Sequence, residues 1–231
     1  QHGTAIVVAA AIRNGLRVAG KDLDKVSLVC AGAGAAALAC LDLLIFMGLD
    51  KSRVVVFDQY GVLYEGRTIS MDPYKSAFAI ETSARDLDDV IDGADIFLGL
   101  SAPDVISGEQ VARMAKSPLV FALANPDPEI TPDEVHKFRD DAIMATGRSD
   151  YPNQVNNVLC FPFLFRGALD VGATEINGEM QAAAVEAIAD IATKEASDVV
   201  SAAYGGKPFR FGADYLIPKP FDPRLMMEIP E

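Results

Sequence analysis

The chain has 231 residues, half of them apolar and 23% charged, with 33 acids against 20 bases for a formal net charge of -13. That length and composition exclude a disordered or low-complexity fibre and suit one large domain, or a domain with an appendage. The acidic balance repels phosphodiester backbones and acidic lipid surfaces, so neither nucleic acid nor membrane is an expected partner. The best apolar stretch, Ala35 to Leu49, is broken by Asp42 and falls short of the roughly 18 residues a membrane span requires. Cys30, Cys40 and Cys160 lie far apart and form no C-x-x-C, which supports neither a disulfide framework nor a zinc site and fits a reducing cytoplasm. With two histidines in the chain, a histidine triad or a His-ligated metal is poorly supplied.

In chain order, apolar spacing from Thr4 to Val18 predicts a helix with Thr4 placed to cap it and Gly20 to stop it. Val26 to Cys30 predicts a strand, Ala31 to Gly34 a tight turn, Ala35 to Met47 a helix and Arg53 to Asp58 a β-branched strand, which together make a βαβ unit of about 30 residues. Helices over Leu87 to Ile91, Gly108 to Ala115 and Pro132 to Arg139 then alternate with strands over Asp95 to Leu100, Leu119 to Leu123 and Ala142 to Ala145. Such uniformly apolar strands predict an α/β fold, a doubly wound Rossmann-like parallel sheet with helices on both faces. Beyond Asn157 the pattern turns helical, over Val158 to Val171 and Glu179 to Glu195. After Tyr204 the chain is rich in Gly and Pro and reads as an arm or linker. The cluster Phe161-Pro-Phe-Leu-Phe165 reads as core rather than as an aromatic cofactor box.

Gly32-Ala33-Gly34-Ala35-Ala36-Ala37 matches G-x-G-x-x-A between a strand and a helix, the context that gives this pattern meaning. Gly32 permits the turn, Gly34 lets a pyrophosphate approach the backbone, and Ala37 lets helix and strand pack closely, while the helix N-terminus offers N–H groups to the anion. Close packing of small residues is the alternative. Asp58 ends the next strand, where an acid accepts from ribose hydroxyls and favours NAD; Arg67 and Lys75 follow, and either would neutralise a 2'-phosphate. Charge counting therefore leaves NAD against NADP open. Ser101 and Asn125 close two further strands at the carboxyl edge, where ligands bind in open α/β sheets. The Asn125 amide offers donor and acceptor to a nicotinamide carboxamide or a substrate hydroxyl, or else opens the turn at Pro126. Of Asn153, Asn156 and Asn157, one is needed as a helix cap, and the others invite a ligand. His2 stands near the ligand or merely at the start of the first helix, and His136 lies on an exposed acidic helix.

These segments together resemble the malic enzymes. Gln1-His-Gly-Thr-Ala5, the Gly32 to Ala37 loop and Ala122-Leu-Ala-Asn125-Pro126 are similar to the family's lead-in segment, dinucleotide loop and S/A-N-P motif. Ala145 to Pro162 (ATGRSDYPNQVNNVLCFP) resembles the bacterial NADP-dependent hybrid type, in which a phosphotransacetylase-like domain follows, and Ile217 to Leu225 resembles the segment leading into it. Both ends therefore look cut. The resemblance implies malate decarboxylation to pyruvate with reduction of NADP or NAD. It also implies a homo-oligomer in the cytoplasm and cofactor contacts at Ala33, Gly34, Ala35, Ala36, Asp58 and Lys75. Asn125 would touch nicotinamide and malate, and Asn156 or Asn157 the substrate carboxylate. It further implies that the general-acid tyrosine, the general-base lysine and the ligands of a divalent Mg or Mn lie upstream, so this chain carries no catalytic acid or base and no metal ligand of its own. The expected organisation is an opening helix over 1–22 from that upstream half, an NAD(P)-binding domain over 23–157, a helical extension over 158–204 and an arm over 205–231. A non-catalytic dinucleotide sensor, or the cofactor domain of an amino-acid dehydrogenase, would share the Gly-rich loop.

Overall fold

The computed structural model describes residues 2–196, 198–206 and 208–231; Gln1, expected at the head of the chain's lead-in segment, lies outside the described residues. The elements are α1 His2–Ala19, β1 Leu28–Ala31, α2 Ala35–Phe46, β2 Val54–Asp58, β3 Gly61–Val62, α3 Pro73–Ser76, β4 Ile96–Gly99, α4 Gly108–Ala112, β5 Leu119–Ala122, α5 Pro132–Val135, β6 Ile143–Thr146, α6 Phe161–Asp170, α7 Gly178–Thr193, α8 Asp198–Ala203 and α9 Arg224–Glu228. Five parallel strands stand in the order β2-β1-β4-β5-β6, and β3 adds to the β2 edge antiparallel.

Strand alternation divides the interior in two. Leu28 and Cys30, Ile96 and Leu98, and Leu119 and Phe121 face the core under α1, α2 and α7. Val29 and Ala31, Phe97, and Val120 and Ala122 face a second core shared with Leu87, Val111 and Val135. With both faces covered, the strands carry no polar stripe, which is why they read as unbroken apolar runs. Helix α1 lies so close to the sheet that a Cβ on Gly15 would stand 2.7 Å from Leu119 Cδ2. Its buried Asn14 donates to Ala189 O and Leu216 O, both at 2.8 Å, and so ties α7 and the C-terminal segment to the same helix.

Several expectations need correction. Residues 87–91 form turns rather than a helix, because Asp86 and Asp89 accept from backbone N–H groups at its head and compete with helical pairing. Thr4 lies within α1 and donates to Asn157 Oδ1 at 3.0 Å instead of capping. Helices α4 and α5 stop at Ala112 and Val135, short of their expected ends, and α6 starts only at Phe161, with a 3-10 turn over Asn157–Leu159 before it. Phe161 and Phe165 are each 47% exposed, so the aromatic cluster is a half-buried helix face rather than core. Tyr215, Leu216 and Ile217 are buried, so this stretch of the Gly- and Pro-rich segment packs as a strap on the fold. Among the described residues no helix is long and apolar enough to cross a membrane.

Candidate functional site

Strand order reverses at β1, so the connections leaving β1 and β4 diverge and open a crevice at the carboxyl edge of the sheet. The turn after β1 needs glycine: Gly32 has φ +105°, and a Cβ there would stand 2.4 Å from Leu100 O. At Gly34 a Cβ would meet nothing within 4 Å, so open space lies over the backbone that starts α2. No side chain caps α2 at Gly34, which leaves first-turn N–H groups without an intrahelical partner at the positive end of a 12-residue helix. Ala37, 1% exposed, makes the close packing behind that loop.

A cleft of about 1000 Å³ runs from this turn to the end of β2. Gly32, Ala33, Gly34 and Ala35 line one end, Asp58 and Lys75 the other, with Ser101 and His2 also on its wall. Both Asp58 oxygens are engaged: Oδ1 accepts from Arg67 Nη2 at 2.6 Å and from Tyr60 N at 2.9 Å, and Oδ2 from Lys75 Nζ at 3.0 Å. Burial pushes the Asp58 carboxyl up, but the Tyr60 N–H, the Arg67 guanidinium and the Lys75 ammonium outweigh it and hold it below the usual carboxylate range. Arg67 is locked inside by Gly61 O, Val62 O and Ile69 O. Lys75, further held by Ser70 O at 2.9 Å, is the cation that borders the cleft. Asp42 and Asp72 line the same cleft, Asp72 as the cap of α3.

Ala36, Asn125, Asn156 and Asn157 come together around an adjoining pocket of about 340 Å³ on the other side of the Gly-rich turn. Asn125 Nδ2 donates to Leu123 O at 3.3 Å, and Gly147 gives its side chain room, since a Cβ there would stand 2.9 Å from Nδ2. Asn156 Oδ1 accepts from Val158 N at 3.1 Å and caps the 3-10 turn Asn157–Leu159, whereas α6, the helix for which an asparagine cap is expected, follows Cys160 with no side-chain cap. Asn157 faces Thr4. Asn153 is not part of the pocket: it is 2% exposed and spends its amide on Met144 O, Ala213 O and Leu216 N. His136 is exposed at the end of α5.

Sequence reasoning missed Glu129, a fully buried acid that accepts from the backbone behind both Ser101 and Asn125. It stands among prolines and acids that read as a solvated turn, and no spacing marks it. Among the described residues no group of three or more His, Cys, Asp or Glu could hold a metal ion.

A family model described as malic enzyme, NAD binding domain, matches residues 1–202. The chain belongs to this family. It is 59% identical over 230 residues to the NADP-dependent malic enzyme of Salmonella typhimurium, covering 99% of this chain and 30% of that protein. It is also 57% identical over 229 residues to the NAD-dependent malic enzyme of Rhizobium meliloti, again over 99% of this chain and 30% of that protein. The crystal structure of a malic enzyme from Pyrococcus horikoshii is similar with a TM-score of 0.86 at 34% identity, over 100% of this chain and 52% of that one. The chain thus spans about 30% of the length of these two curated relatives.

Proposed function

We propose that this chain serves as the NADP-binding domain of a cytoplasmic malic enzyme, which oxidises malate and releases pyruvate and CO2. The observation that carries the reading is the pair of pockets at the Gly-rich turn: the cleft where the uncapped start of α2 stands with Asp58 and Lys75, and the asparagine pocket lined by Ala36, Asn125, Asn156 and Asn157. The residues present fit a dinucleotide: open backbone at Gly34 and the N–H groups of Ala35 and Ala36 suit a pyrophosphate. When bound, the cofactor supplies the hydride acceptor. Asn125 orients carboxamide and substrate hydroxyl with one donor and one acceptor, and Asn156 or Asn157 meets a substrate carboxylate through amide N–H groups. The acid, the base and a divalent Mg or Mn are expected from residues outside this chain.

Electrostatics favours NADP over NAD. Asp58 is bonded to two cations, so the three groups carry a net charge of +1 where an unpaired acid would repel a 2'-phosphate. Calorimetric titration of NAD and NADP in parallel tests both parts of this reading. Saturable binding with NADP the tighter is expected; tighter NAD would reverse the preference, and binding of neither would remove the cofactor assignment.

A further inference from the structure

Glu129 is 0% exposed and is not among the residues that line the cleft or the adjoining pocket. Its Oε1 accepts from Ser101 N at 2.8 Å and Ser101 Oγ at 3.2 Å, and its Oε2 from Ala124 N at 3.0 Å. All three partners donate, the set that an acceptor-only carboxylate fills. Among the described residues no Lys, Arg or His lies within ion-pair distance of it. A buried acid without a cation is costly and persists where the surrounding donors are fixed. The space for it is built in: Gly99 ends β4 beneath it, and a Cβ there would stand 2.4 Å from Glu129 Cδ. One side chain thereby bonds the connection leaving β4 to the connection leaving β5, immediately behind Ser101 on the cleft wall and Asn125 in the pocket.

We infer that Glu129 is a positioning residue that clamps these two connections together and so fixes the nicotinamide end of the crevice, while the adenosine end at Asp58 and Lys75 is set independently by Arg67. The inference rests on the cofactor reading above. Its physical content is the division: three hydrogen bonds hold one end, and the Arg67 cluster holds the other with no atom in common.

Ligand halves separate the two ends. Titration calorimetry of the intact protein compares NADP with adenosine 2',5'-bisphosphate, which contains the adenosine end and lacks the nicotinamide. In Glu129→Gln the amide NH2 is turned against N–H donors on one side, so the clamp opens there. The expected result is a tenfold or larger rise in the NADP Kd with the bisphosphate Kd within twofold. If the glutamine variant lacks a cooperative thermal transition, Glu129→Asp carries the test, because it keeps the charge but is one methylene too short to reach both connections; the same split is expected. An NADP Kd within twofold in a folded variant overturns the clamp, and equal weakening of both ligands overturns it too, since that reports general loosening. If the unsubstituted protein binds neither ligand, the cofactor reading falls and the role of Glu129 falls with it; bisphosphate binding by the unsubstituted protein keeps the two failures distinct.

Discussion

Lys75 and Arg67 both touch Asp58, yet their surroundings give them different work. Arg67 has a side chain 2% exposed and holds three backbone carbonyls around the β2–β3 corner, which makes it a structural residue. Lys75 borders the cleft, with its ammonium held by Asp58 Oδ2 at 3.0 Å and by Ser70 O at 2.9 Å at the wall a phosphate would meet. Lys75→Ala is therefore expected to weaken NADP by about tenfold or more, the scale of one charge-assisted hydrogen bond, while NAD stays within about twofold. Parallel titrations decide it, and equal losses for both cofactors would make the lysine structural. If the proposed function holds, Asn125→Ala, which removes the pocket's amide three residues past β5, is expected to lower kcat for malate oxidation by the full-length protein about 100-fold, as for one preorganised hydrogen bond. An unchanged kcat would withdraw the role.

At the scale of elements, the first βαβ unit was legible because its signals are local: an apolar run, two glycines, small residues and a β-branched run lie within one stretch of chain. Asp58, which ends β2, and Asn125, three residues past β5, could be placed at the carboxyl edge for the same reason, because each follows an apolar run. The antiparallel β3 is only two residues long and α3 one turn, so neither leaves a periodicity to read. Glu129 and Asn153 act across the chain and carry no local signature. Asn153 binds Leu216 N at 2.8 Å from 63 positions away, which is how a Gly- and Pro-rich segment that reads as an arm comes to be packed. Its φ of +54° makes glycine the informative replacement, since glycine keeps that conformation without strain. Asn153→Gly is expected to cost about 3 kcal/mol, from buried groups left without partners. Thermal unfolding measures it, at roughly 2–4 °C per kcal/mol for a chain of this size; a loss below about 0.5 kcal/mol would mean that the strap is held by apolar contact alone.

Across the whole molecule, a net charge of -13 would swell the fold if its acids stood unpaired, but Asp58 and Asp95, at opposite edges of the sheet, are matched locally. Asp58 does this at the carboxyl edge. At the opposite edge Asp95, just before β4, accepts from Lys21 Nζ at 2.8 Å and from Ser27 N at 2.9 Å, joining the connection after α1 to the central strands. Burial pushes its carboxyl up, but Lys21 and the Ser27 N–H outweigh that and hold it below the ordinary value. A carboxyl lowered in the folded state stabilises the fold above its unfolded pKa of about 3.9 and loses that contribution as pH falls through the folded value. Asp95→Asn removes the contribution at every pH while leaving the crevice untouched. The difference in urea midpoint between the unsubstituted protein and this variant is thus expected to be largest near pH 7, unchanged at about pH 5.5, and to shrink as pH falls below about 4. A difference that stays constant to the lowest pH at which both still fold would mean that Asp95 holds the edge by its shape and hydrogen bonds, with no part played by its charge.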